Sequence, residues 1–169
     1  MGKKIILVIT LFVCLHSTSQ AQVYIDNMYK QANAMARAAV KGEYATLLQY
    51  THPTVVKSMG GRDKALITLK QGLEAIKSSS FAIKKVAIGK MTQSIVSKEN
   101  IQCIVPQIMD IEVSGVNAHS NNYLFGISYD GGKNWYFMDT AAATPEKLKQ
   151  LFPEINKNLV IPKSQTTYK

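Results

Sequence analysis

Cysteine is almost missing from this chain: Cys14 and Cys103 are the two in 169 residues. Cys14 lies in an N-terminal segment that reads as a removable leader, which leaves Cys103 alone in the rest. An intramolecular disulfide is thereby excluded, and stability has to come from a packed core. Histidine is nearly as rare, and His52 and His119 stand too far apart in sequence to suggest a metal site. Neither a nucleophile triad nor phosphate-loop spacing occurs, so no cofactor is expected. Acidic residues number 11 against 20 lysines and arginines, for a net charge of +9. That surplus favours anionic partners in general. The basic residues are scattered, however, without the clusters interleaved with aromatics that nucleic-acid binders show, which argues against nucleic acid. No apolar run reaches the roughly 20 residues that a membrane-spanning helix needs, so no transmembrane segment is expected.

What is present begins with Lys3 and Lys4, an apolar run over residues 5–15, and a polar, small-residue exit ending Ser19-Gln20-Ala21-Gln22. Charge, length and exit are those of a secretory signal peptide cleaved after Ala21. A lipoprotein reading would modify Cys14, but Val13 stands where lipid-attachment sites carry a small residue. The expected organisation is a signal peptide over 1–21, one domain over 22–162 and a frayed tail over 163–169, in a soluble protein that is secreted or periplasmic.

Ile25, Met28, Ala32, Met35 and Ala39 recur at helical spacing, with Lys30, Asn33 and Arg37 between them, and predict an amphipathic helix closed by Gly42. A short second helix over 43–50 carries Tyr44, Leu47 and Leu48 inward and stops before Pro53. Residues 54–59 read as an apolar connection to Gly60-Gly61. A third helix then opens at Arg62 with a stripe of Leu66, Leu69, Leu73 and Ile76. The two glycines could cradle an anion at that helix start; a plain turn and cap explains them better, since Asp63 already supplies negative charge there.

Beyond residue 80 the period becomes alternating. Phe81 and Ile83, then Val86 and Ile88, predict a strand whose phase slips at Lys84-Lys85, as at a bulge. A second strand runs over 101–113, where Pro106 suggests an edge or a bend and Ile104 and Ile108 suggest that helices cover the second face. Cys103 on the dominant apolar face reads as a small buried hydrophobe. After a polar loop over 114–122 comes the clearest hairpin, residues 123–139, built on Asp130-Gly131-Gly132-Lys133-Asn134. Tyr123, Phe125, Ile127 and Tyr129 share one face of its first strand, and Trp135, Phe137 and Asp139 share one face of its second. Thr144 and Pro145 open a last short helix with Leu148, Leu151, Phe152 and Ile155, interrupted at Pro153.

Helices first and then hairpin-linked strands make an α+β fold: N-terminal helices on a curved, mainly antiparallel, cone-shaped sheet, with a short C-terminal helix. Gly42-Glu43-Tyr44-x-x-Leu47-Leu48-x-Tyr50-Thr51-His52-Pro53, followed by Met59-Gly60-Gly61-Arg62-Asp63-Lys64, resembles small secreted proteins of uncharacterised function in the nuclear transport factor 2-like superfamily, of cystatin-like cone fold. The resemblance covers most of the chain after the leader. It implies a ligand-binding cavity between sheet and helices, on a fold that serves isomerases, dehydratases and binding modules alike. Ser128-x-Asp130-x-Gly132-x-x-Trp135 is similar to the Asp-box hairpin of sialidase-like propellers. It occurs once and implies a turn device only.

The candidate ligand-binding residues are Asp139, Trp135, Phe137, Tyr123, Tyr129 and His52. A carboxylate held among aromatics gains a raised pKa, so Asp139 with His52 is the pair that could do acid-base chemistry of the isomerase or dehydratase type. Against this, Asp139 precedes a loop and could simply face water, and His52 before proline could simply cap a turn. The preferred reading is a non-catalytic module of the cell envelope that binds a small apolar ligand or an envelope protein, with a homodimer through the sheet face left open. Enclosure of Asp139 with His52 in hydrogen-bond reach would favour the enzyme; Asp139 in solvent beside an apolar-lined cavity would favour binding.

Overall fold

The computed structural model describes residues 2–78, 81–141 and 143–168, with side chains described from Gln22 onward except at 73, 76–78 and 145. The leader's side chains, Cys14 included, and the predicted stripe positions Leu73 and Ile76 therefore lie outside the described residues. Four helices come first: α1 (Gly2–Lys41), α2 (Tyr44–Tyr50), α3 (Pro53–Ser58) and α4 (Arg62–Ser78). Strands β1 (Phe81–Ile88), β2 (Gln93–Val96), β3 (Ile101–Val113), β4 (Val116–Ser128) and β5 (Tyr136–Asp139) follow, then α5 (Pro145–Leu151) and β6 (Gln165–Tyr168). The result is α+β: N-terminal helices, then a curled antiparallel sheet of half-barrel shape, with a short helix late in the chain. Among the described residues no helix is long and apolar enough to cross a membrane.

The sheet is built on the β3–β4 hairpin, whose register runs unbroken from Ile101↔Ser128 to Val113↔Val116. The other strands pair with it in two halves. Toward the hairpin's open end the order is β2-β3-β4-β5; toward its turn the order is β1-β3-β4-β6. Only the first half is covered on both faces. Residues 101–105 and 124–128 are accordingly buried without alternation, as in any doubly covered strand.

On one face α1 lays Met28, Ala32 and Met35 against Cys103, Val105, Leu124, Trp135 and Phe137. On the other, Phe152, Leu148 and Leu159 pack on Ile104, Phe125 and Ile127. Fully burying one such aromatic or leucine side chain is worth about 1.5–3 kcal/mol, so these two clusters carry the fold. Gly126 makes the first one possible, because a Cβ there would press into the Cys103 sulfur and the Phe137 ring.

Several sequence expectations need correction. Residues 114–122 are not a loop: Ser114 and Gly115 form a two-residue turn with φ of 52° and 81°, and β4 starts at once. Residues 53–58 are helical, because His52 caps them and Pro53 starts them. The 163–169 tail contributes β6, which pairs with β4 from Ala118↔Tyr168 to Asn121↔Gln165 although all four of its residues are exposed. Pro106 sits in a central strand rather than at an edge. Its carbonyl accepts from Gly89 N–H at 2.8 Å, on the side where β1 has ended and β2 has not begun, so no ladder donor is missed there. The bulge predicted at Lys84-Lys85 is present as a register shift between Ile83 and Lys85.

Candidate functional site

The hairpin loop after β4 is held by one carboxylate. Asp130 Oδ1 accepts from Lys133 N–H (3.1 Å), Asn134 N–H (2.9 Å) and the Ser128 hydroxyl (2.9 Å), while Oδ2 takes the Asn134 side-chain amide. Although partial burial pushes the Asp130 carboxyl upward, these bonds together hold it below the ordinary range. The carboxylate shapes the loop, as the turn-device reading expects. The loop then docks on α1, where Asn27 donates to Gly132 O, Gln31 donates to Lys133 O and Trp135 N–H donates to Gln31 Oε1.

Trp135 and Phe137, predicted to line a cavity, are 1% and 0% exposed and form core with α1. Their rings stack 6.4 Å apart. Asp139, on the same strand face, reaches past that core into solvent and accepts from Ala141 N–H at 2.8 Å. Surrounding protein pushes its carboxyl above the ordinary Asp range, opposed by that bond. Because the residue is exposed, water screens the push and the carboxylate is not a sequestered base. Tyr123 packs half-buried against the second cluster.

The structure brings His52 to Tyr129 instead. The His52 ring is 5% exposed and lies edge-on to Phe152, 4.6 Å between centroids. Its Nδ1 accepts from Thr54 N–H at 3.1 Å, which fixes the neutral ring's proton on Nε2, and Nε2 lies 3.0 Å from Tyr129 Oη. Tyr129 in turn donates to Glu154 Oε1 at 2.6 Å. Burial lowers the His52 pKa below 6.5, opposed by the negative charge of Glu154; burial and the bond to Glu154 both raise that of Tyr129. The chain His52–Tyr129–Glu154 thus consists of a neutral donor, a neutral phenol and an acceptor. It fastens the α2–α3 corner, the hairpin and the segment after α5 together. With Nδ1 engaged in a helix cap and the ring shut away, His52 has no free nitrogen to offer a substrate.

A concave surface of another kind lies beyond Asp139. Thr140 and Ala141 open a groove of about 850 Å³ between α5 and the segment that leads to β6. Its apolar wall is Ala143, Leu148, Ile155, Leu159 and Ile161; Lys149, Lys157 and Lys163 stand along it, and none of the described residues lining it is acidic. A smaller hollow of about 440 Å³ between α1 and the hairpin is lined mostly by polar groups, among them Asn27, Gln31 and Lys133. Among the described residues no cluster of His, Cys, Asp or Glu could hold a metal ion.

Sequence reasoning missed the groove because its residues come from an irregular, proline-containing stretch with no period to read. The available signal was the interspersion of Ile155, Leu159 and Ile161 with Lys157 and Lys163. Comparison of the chain with protein-family models, with curated proteins and with solved structures finds no match.

Proposed function

We propose that this protein is an exported, non-catalytic binding module of the cell envelope that takes a small apolar molecule in the groove between α5 and the segment leading to β6. The observation that carries this reading is the groove itself. Its volume of about 850 Å³ falls within the roughly 300–1,000 Å³ of small-molecule sites, and its wall is aliphatic. The residues expected to do acid-base work support it from the other side: Asp139 meets solvent, and His52 is committed to Thr54, Tyr129 and Phe152. We also read the helices-then-curled-sheet order as the cone of the nuclear transport factor 2-like superfamily. In this chain the space under α1 is filled by Met28, Met35, Trp135 and Phe137, so the ligand is assigned to the sheet's opposite face. The signal-like leader supports the envelope address.

The test is titration with 1-aminoanthracene, an uncharged apolar fluorophore. Enhanced, saturable fluorescence is expected, and Ala143→Trp, which fills the groove wall, should abolish it while the circular dichroism spectrum is retained. Absence of saturable binding to the wild type, or binding indifferent to Ala143→Trp, refutes the assignment.

A further inference from the structure

Resting on the groove reading, we propose that its occupant is a single-chain amphipathic anion, a long-chain fatty carboxylate, with the alkyl chain on the aliphatic wall and the head group among Lys149, Lys157 and Lys163. Charge complementarity on an apolar site selects such a ligand. Ala143, Ile155 and Ile161, backed by the buried Leu148 and Leu159, give the groove its hydrocarbon wall, with Thr140, Asn156 and Ser164 as its uncharged polar lining. Three ammonium groups come from three places along the chain: α5, the stretch after it, and the approach to β6. They converge on one groove whose described lining has no carboxylate. The acids next to lining residues in the chain are engaged: Asp139 accepts from Ala141 N–H at 2.8 Å. Glu154 accepts from Tyr129, and Glu146, one turn before Lys149 on α5, shares that lysine's field at the outer end. A neutral hydrocarbon would bring no counter-charge to a lining that has lysines and no carboxylate among its described residues, and a cationic amphiphile would add to its positive charge. A carboxylate supplies the counter-charge, while lysine stems can lie along the alkyl chain with their charged heads in water.

Lys157 and Lys163 flank Leu159 and Ile161 in sequence, so the basic rim and the aliphatic wall belong to the same short stretch, and one extended amphipathic chain can meet both.

The experiment is calorimetric titration of the leader-free protein with hexadecanoate, tetradecanoate, hexadecanol and hexadecyltrimethylammonium, each below its micelle-forming concentration, together with Lys149→Glu/Lys157→Glu/Lys163→Glu. Hexadecanoate should bind best. Dropping two methylenes should weaken binding by up to about 15-fold, from roughly fourfold per methylene. Triple charge reversal should weaken hexadecanoate at least about tenfold and bring the ammonium amphiphile level with it or ahead, and raising salt from about 0.02 M to about 0.5 M should erode the preference for the carboxylate. Equal affinity for the carboxylate and the ammonium compound, or a triple variant that binds hexadecanoate unchanged, overturns the anionic assignment and leaves the apolar groove standing. If none of the four probes binds and 1-aminoanthracene also fails, the groove reading falls with it.

Discussion

Replacing Gly132 by valine tests how the hairpin is held to α1. Gly132 has φ of +86°, and a Cβ at this position would overlap the Cβ of Tyr24 on the helix. Neighbouring Gly131 has φ of +72°, and a Cβ there meets nothing within 4 Å. Gly131→Val therefore suffers backbone strain alone, about 1–2 kcal/mol for an L-residue in the left-handed region. Gly132→Val suffers the same strain and must also push the loop off the helix. That breaks the bonds from Asn27 to Gly132 O, from Gln31 to Lys133 O and from Trp135 N–H to Gln31, worth about 1 kcal/mol each. The expected losses are about 1–2 kcal/mol at Gly131 and about 3–5 kcal/mol at Gly132. In urea titrations followed by Trp135 fluorescence, with a slope of about 1–2 kcal/mol/M, the two midpoints should differ by roughly 1 M or more. Equal midpoints would mean that α1 yields freely at Tyr24. The docking of α1 on the loop would then contribute nothing.

Three further outcomes follow from the same contacts. Burial lowers the His52 pKa below 6.5, so on acidification the unfolded chain takes up the proton first; stability is full above about pH 6.5 and declines as pH falls through that value. His52→Gln should flatten that part of the urea-midpoint profile, and identical wild-type and variant profiles between about pH 7.5 and 5 would contradict it. The Cys103 thiol, fully buried and pushed up to about 12, should resist an aromatic disulfide reagent at neutral pH and react at once in denaturant; fast native labelling would be inconsistent with the sheet interior described. Asp139→Asn should leave the thermal midpoint within about 3 °C, since a solvated carboxylate with one bond to Ala141 N–H contributes little, and a collapse of the fold would make it a structural anchor.

Legibility in the sequence tracks how strictly one face of an element is buried. The alternation over 101–113 marks β3 at both ends, and the phase slip at Lys84-Lys85 marks the bulge, because register is fixed wherever a face is apolar. Residues 116–122 escaped because the face they bury is small or polar, made of Ala118, Ser120 and Asn122. Asn117, His119 and Asn121 suit a solvated face, so a true strand reads as a loop. β2 and β6, four residues each, are too short to show a period, and α3 is a single capped turn and a half whose cap is the unusual His52. His52 and Tyr129 were legible as special residues, and the structure does join them. Their third member, Glu154, was not, since it sits in an irregular segment. Trp135 and Phe137 are core where a cavity wall was expected, although Trp135 also borders the hollow between α1 and the hairpin, because aromatics at strand spacing look alike whether they line a space or fill one. What decides between the two is the bulk of Met28 and Met35 opposite, and that pairing is set by tertiary packing.

The groove wall itself poses a question of backbone accounting. Residues 152–161 join no strand of the sheet, yet they pack on it; Phe152, Ile155 and Leu159 N–H find nearby backbone carbonyls, and other peptide groups take partners from side chains. Two glutamines supply them in the same way. Gln102, 2% exposed, donates to Glu154 O at 2.8 Å and accepts from Asn156 N–H at 2.9 Å. Gln93 donates to Val160 O at 3.2 Å and accepts from Val160 N–H at 2.9 Å. Each primary amide offers one donor and one acceptor on the same plane, as a strand neighbour would, and so stands in for a ladder partner. The wall is held by these amides and by Phe152 and Leu159 in the second core cluster, and whether it opens apart from the sheet beneath it can be measured. Gln102→Leu keeps the volume and removes both bonds to the wall, together with the one to Asn100 Oδ1, at about 1 kcal/mol each. Hydrogen exchange at Asn156 and Leu159 should then rise toward that of an open segment while the amides of β3 and β4 keep their protection. Should protection fall equally across β3, β4 and the wall, the segment is part of the global folding unit and has no separate mobility.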